Sequence, residues 1–121
     1  MALILVVEDD DHQRELYTDS LTDEGHEVVS ARDGREAVQL VEQQKPDLVV
    51  MDISMPGMDG IEAMNRLLSK NNRLPIVLNT AYSNYGEDFR SWSADAYVVK
   101  SSDLTGLMDA IRSVLNERGI S

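Results

Sequence analysis

Cysteine is absent from the 121 residues, which excludes disulfides and thiolate metal centres. Basic residues are scarce: 11 Lys and Arg stand against 22 Asp and Glu, and a formal charge of −11 repels polyanions. Direct nucleic-acid binding is therefore not expected. No apolar run approaches the roughly 18 residues of a membrane span, so membrane insertion is not expected either. No basic leader precedes an apolar core at the start, which makes the cytoplasm the expected compartment. No repeat or low-complexity linker divides the chain. Its length suits one domain with a real core, residues 1–121, and no second one.

What the chain does have is a set of short apolar runs, most of which end on a polar group. Leu48 to Met51 is unbroken and delivers Asp52, after which Pro56-Gly57 and Gly60 punctuate a tight loop. Such a run reads as a strand buried on both faces, as in a parallel sheet covered by helices. A buried strand does not readily carry an aspartate, so Asp52 belongs where the strand emerges. Leu3 to Val7 is a second run, and it ends in Glu8-Asp9-Asp10-Asp11. Two like charges about 4 Å apart cost about 4 kcal/mol at an effective dielectric of 20, so a cation is expected to neutralise the cluster. Glu8 and Asp9 are assigned to that site. Asp10 or Asp11 is assigned to capping the next helix, where a carboxylate faces the positive end.

That first helix is expected from about Asp11 to Glu24, with Leu16, Tyr17 and Leu21 inward and Gly25 as its stop. His26 to Ser30 reads as a short strand. Asp33 to Glu36 has capping-box spacing and opens a helix that turns Ala37, Val38, Leu40 and Val41 inward. Asp59 to Glu62 repeats that spacing ahead of Ile61, Met64, Leu67 and Leu68. The methionines there read as core filler. Leu74 to Leu78 is a fourth strand, ending in Asn79-Thr80-Ala81. Tyr82 to Ala96 is the least regular stretch, with at most a short helix between Glu87 and Ser93. Ala96 to Val99 is the fifth strand and delivers Lys100. Ser101 or Ser102 is expected to cap a last helix from about Asp103 to Arg118.

Strict alternation of strands and helices implies a parallel sheet with helices on both faces and right-handed connections. All strand ends then point one way. Ligands of such sheets bind at the carboxyl edge, which here collects Glu8-Asp9, Asp52, Thr80 and Lys100. Hard oxygen ligands without Cys or His suit Mg²⁺ best, with Mn²⁺ as the alternative. A carboxylate beside a cation, an ammonium and a hydroxyl is equipped to accept a phosphoryl group. Asp52 would attack in line while positive charge neutralises the equatorial oxygens.

The motifs Leu5-Val6-Val7-Glu8-Asp9-Asp10, Asp47 to Gly60, Pro75 to Ala81 and Ala94 to Lys100, in this order, resemble the receiver domain of a bacterial two-component response regulator. The resemblance spans essentially the whole chain. It implies a flavodoxin-like fold of strand order 2-1-3-4-5. It implies a phosphoacceptor, Asp52, served by a histidine kinase or histidine phosphotransfer protein. The receiver itself would be a phosphoacceptor that assists its own phosphorylation and dephosphorylation, not a turnover enzyme on a small substrate, and a downstream protein would read its switched surface. The family pattern gives Glu8, Asp9, Asp52 and the Ser54 backbone carbonyl to Mg²⁺, and Thr80 and Lys100 to the phosphoryl oxygens. Tyr97 matches the switch aromatic that moves inward when Thr80 is drawn to the phosphate.

Three features depart from the family pattern. Ser101 follows Lys100 where proline is common, and a cis bond there would cost about 3–4 kcal/mol, so a trans bond is expected. Ser93-Ala94-Asp95 replaces Gly-Ala-Asp. The stretch from Thr80 to Lys100 is slightly short, which points to a short or irregular fourth helix. Three other classes fit the pattern less well than the receiver. A Mg²⁺-dependent aspartyl phosphohydrolase lacks its second carboxylate, since Ser54 stands two residues after Asp52, and has no room for a cap. A receiver-like binding module working without phosphorylation would not need the complete set of phosphorylation residues. A flavin carrier of this fold would meet acid where its phosphate should bind.

Overall fold

Side chains alternate faces along a strand, so a strand that is apolar throughout needs cover on both sides. The computed structural model, which describes residues 2–52, 60–81 and 94–120, satisfies that need with helices on each face. The elements run β1 (Leu3–Val7), α1 (Asp11–Asp23), β2 (Glu27–Ala31), α2 (Gly34–Gln44) and β3 (Leu48–Met51). They continue as α3 (Gly60–Lys70), β4 (Ile76–Thr80), β5 (Ala96–Val99) and α4 (Thr105–Glu117). The five strands form one parallel sheet in the order β2-β1-β3-β4-β5. That is the fold class expected from the sequence.

The alternation sorts the core into two halves. Leu5, Val7, Val49, Met51, Ile76 and Leu78 face α2 and α3, where they meet Ala37, Val41, Ala63, Met64 and Leu67. Ile4, Val6, Leu48, Val50 and Val77 face α1 and α4, against Tyr17, Leu21, Leu107, Ile111, Val114 and Leu115. Met51 and Met64 are fully buried, as core filler should be. Asp10 caps α1, its carboxylate accepting the Gln13 N–H, and Asp33 caps α2 by accepting from Glu36 N–H. Gly25 follows α1 at φ 93, a left-handed conformation that glycine adopts without a Cβ penalty.

Several expectations need correction. Leu16 is 43% exposed, because the inward face of α1 is set by Tyr17 and Leu21, four residues apart. β2 begins at Glu27, its first register partner being Leu3. β4 begins two residues later than expected. Leu74 N–H is taken by the Asn71 carbonyl, Pro75 has no N–H, and the ladder to β3 starts at the Val49 and Ile76 pair. Neither Ser101 nor Ser102 caps α4. Ser101 Oγ accepts from Asp103 N–H at 3.1 Å and the Asp103 carboxylate accepts from Thr105 N–H at 3.0 Å, so the chain enters the helix through two successive side-chain turns. No cis peptide occurs among the described residues, so the Lys100–Ser101 bond is trans as expected. The Asp59 cap, the Pro56-Gly57 loop and the helix expected at 87–93 lie outside the described residues.

Gly106, in the first turn of α4, gives a direct stability prediction. A Cβ built there meets nothing within 4 Å. Gly106→Ala should therefore stabilise the fold by about 0.5–1 kcal/mol, through the lower conformational entropy of the unfolded chain. Chemical denaturation should show a higher midpoint at unchanged slope.

Candidate functional site

Parallel pairing brings the carboxyl ends of β1, β3, β4 and β5 to one edge. The Glu8 N–H still bonds to the Ala31 carbonyl and the Asp52 N–H to that of Val7, so both acids hang directly from the end of the ladder. Glu8 is 2% exposed and Asp52 6% exposed. From β5, Lys100 reaches across, its Nζ 2.7 Å from Glu8 Oε1 and 2.8 Å from Asp52 Oδ2. The Lys100 backbone N–H donates to the Thr80 carbonyl at 2.7 Å, which fixes where its side chain starts. Glu8 Oε2 accepts from Asp10 N–H at 3.2 Å. Asp9 is exposed at the rim, and Glu8, Asp9 and Asp52 each offer an oxygen within 4.8 Å of the others.

The electrostatics follow from burial. Desolvation pushes the Glu8 carboxyl above its ordinary value; the Lys100 and Asp10 hydrogen bonds oppose it without cancelling it. For Lys100, burial works downward, but the hydrogen bonds and charges of Asp52 and Glu8 outweigh it, and the net shift is upward. The ammonium is thus a fixed positive charge between two buried carboxylates. Around a hard cation with oxygen bonds of about 2.1 Å, opposite ligands stand about 4.2 Å apart, so small side-chain adjustments would close the three acids on one ion.

The structure therefore brings together Glu8, Asp9, Asp52 and Lys100. Thr80 is fully buried at the end of β4, next to them along the sheet edge. Tyr97 is half-buried opposite Leu78 and packs against the core under α2 and α3. Ser54 lies outside the described residues.

A family model for the response regulator receiver domain matches residues 4–112. The chain belongs to the response regulator receiver family. The transcriptional regulatory protein PdtaR of Mycobacterium tuberculosis is 43% identical over 111 residues, 89% of this chain and 54% of PdtaR. This receiver thus spans about half the length of this curated relative and of others it matches. Among solved structures, the response regulator TrrA of Thermotoga maritima in complex with Mg²⁺ and beryllofluoride is similar. Its TM-score is 0.88 with 41% identity, covering 95% of this chain and 100% of TrrA. TrrA in complex with the histidine kinase ThkA matches at a TM-score of 0.86, with 41% identity over 95% of this receiver and 99% of that chain. The acidic cluster of this receiver fits the Mg²⁺ binding seen with TrrA.

Two neighbours of the site were not legible as such. Tyr17 is the apolar contact expected, yet its hydroxyl also donates to Gln13 Oε1 at 3.3 Å, close to the buried Asn79. Burial pushes its phenol above the ordinary value. Arg14 donates from Nη1 to the Glu8 carbonyl at 2.9 Å and pairs with Asp11. A lone basic residue just after four acids was the available signal. No helix among the described residues is long and apolar enough to cross a membrane.

Proposed function

We propose that this receiver takes a phosphoryl group onto Asp52 from a histidine kinase or a histidine phosphotransfer protein, and thereby switches a surface that a downstream protein reads. The observation that carries this reading is the buried Asp52 carboxylate, placed 2.8 Å from a fixed ammonium and beside two further acids. A carboxylate oxygen of Asp52 attacks phosphorus, the O–P bond forms, and the P–N bond to the donor imidazole breaks. The departing imidazole keeps the electron pair. Lys100, released from Asp52 and Glu8, would pair with a phosphoryl oxygen, and the Thr80 hydroxyl would bond another.

Glu8, Asp9 and Asp52, with the Ser54 carbonyl, would hold Mg²⁺ or Mn²⁺, which when bound supplies positive charge against the phosphoryl oxygens. Tyr97 would follow Thr80 inward as the switch aromatic. The domain would extend over residues 1–121 and work in the cytoplasm. It would act as a phosphoacceptor that assists its own phosphorylation and dephosphorylation, without turnover of a small substrate. The complex of TrrA with ThkA supports a kinase partner.

The cation is the first test. Mg²⁺ at ten times its dissociation constant should stabilise the fold by about 1.4 kcal/mol, raising the unfolding temperature. Asp9→Asn should lose most of that response. A wild-type unfolding temperature unmoved by millimolar Mg²⁺ would remove the basis for a cation site.

A further inference from the structure

Resting on the cation site just proposed, we infer that Arg14 is a positioning residue, which sets the direction of Asp9 and so the affinity for the divalent ion. Asp9 lies in the short bend between the end of β1 and the Asp10 cap of α1. The direction of its side chain depends on its φ and ψ, and these depend on the two peptide planes that flank it. The peptide before Asp9 is pinned at its carbonyl by Arg14 Nη1, 2.9 Å from the Glu8 oxygen. The peptide after it is pinned at its N–H by Glu8 Oε2, 3.2 Å from Asp10 nitrogen. One of these anchors is itself a candidate ligand. If Glu8 turns an oxygen to the ion, its bond to Asp10 weakens, and Arg14 is then the anchor that stays.

The burial of Arg14 points the same way. Its side chain is 17% exposed, whereas its ion-pair partner Asp11 is 85% exposed. An exposed carboxylate contributes little to holding a guanidinium in a buried position. The Glu8 carbonyl is the partner that burial serves, and a planar fork can donate to it and to Asp11 together.

Charge alone predicts the opposite effect of removing Arg14, which makes the inference testable. A positive charge beside a cation site repels the ion, so a neutral substitute that removed only charge would tighten Mg²⁺ binding. Loss of a positioning contact should weaken it, by about tenfold on the scale of outer-shell partners. The measurement is the Mg²⁺ dissociation constant by calorimetry, on the unphosphorylated chain, for R14M, R14K, D11N and D9N. The metal-free unfolding temperature of each is recorded separately, so that lost stability is not mistaken for lost affinity.

Arg14→Met is expected to weaken binding about tenfold. Arg14→Lys keeps the charge, but its shorter ammonium cannot replace the fork, so it should weaken binding at least threefold by the same loss of contact. Asp11→Asn should stay within about twofold, because it leaves the Glu8 contact in place. Wild-type or tighter binding by R14M or R14K overturns the inference, and R14K decides if R14M fails to fold. Asp9→Asn separates the two levels. If it too binds normally, the cation site is at fault; if it alone loses the ion, only the role of Arg14 is.

Discussion

Asp52→Asn should reduce phosphorylation by acetyl phosphate and Mg²⁺ by at least about 1000-fold, equivalent to about 4 kcal/mol in the barrier. The amide has no anionic oxygen to attack phosphorus, and the change also removes one of the three acids that offer oxygens within 4.8 Å of one another. The variant should still fold, because Lys100 keeps its 2.7 Å pairing with Glu8 and the cluster loses a repulsive charge. Its apo stability should match or exceed that of the wild type. Radiolabel uptake over time, beside a denaturation curve, checks both halves. Uptake by Asp52→Asn at the wild-type rate would move the nucleophile elsewhere.

Lys100→Met should have the largest effect on stability. The lysine side chain is 15% exposed and sits between carboxylates that are 2% and 7% exposed. Removing one partner of a buried ionic cluster leaves the others uncompensated, at a cost of about 3–5 kcal/mol. Millimolar Mg²⁺ should recover part of that loss, and phosphorylation should become slow without vanishing.

The loss should also depend on pH, and its sign follows from Glu8. Its folded pKa is raised above 4.5, so the stability it contributes is complete below that value and is lost as pH rises through the folded pKa. Lys100 is shifted upward from 10.5, so its own contribution stays constant from pH 5 to 8. Without Lys100 the Glu8 carboxyl loses its largest opposing contact and moves further up. The deficit of Lys100→Met relative to the wild type should therefore shrink as the pH falls from 8 to 5. Urea midpoints at both values, in chelator, measure it; an equal deficit would mean that Glu8 is not desolvated by burial in the way its 2% exposure requires.

Much of this receiver was legible because its signals are of the kind that burial enforces. Continuous apolar runs such as Leu48 to Met51 can hardly sit anywhere but in a covered parallel strand, and the polar residue that ends each run must then emerge at one edge. That logic alone puts Glu8, Asp9, Asp52 and Lys100 at one edge, where the structure has them. What escaped were features decided by a side chain choosing among several backbone partners. Arg14 could have paired with any of four preceding acids; its bond to the Glu8 carbonyl depends on how the chain turns after β1. The entry to α4 looked like a serine cap, yet a chain of two short side-chain turns through Ser101 and Asp103 satisfied the same N–H groups. Leu16 looked inward because helical periodicity tolerates an error of one residue at the edge of an apolar stripe. Tyr17 packs in the core as expected, but its bond to Gln13 gave no sign of itself, since a buried hydroxyl has no periodic signal distinct from packing.

The phosphoacceptor is the central claim, and mapping the phosphoryl group on the wild-type chain tests it most directly. After incubation with acetyl phosphate and Mg²⁺, borohydride reduction converts an aspartyl phosphate to homoserine, which peptide mass spectrometry places at one residue. Homoserine at position 52, and at no other acid, is the predicted result. Homoserine at Asp9 or elsewhere, or a stable phosphate on a hydroxyl side chain, would contradict it.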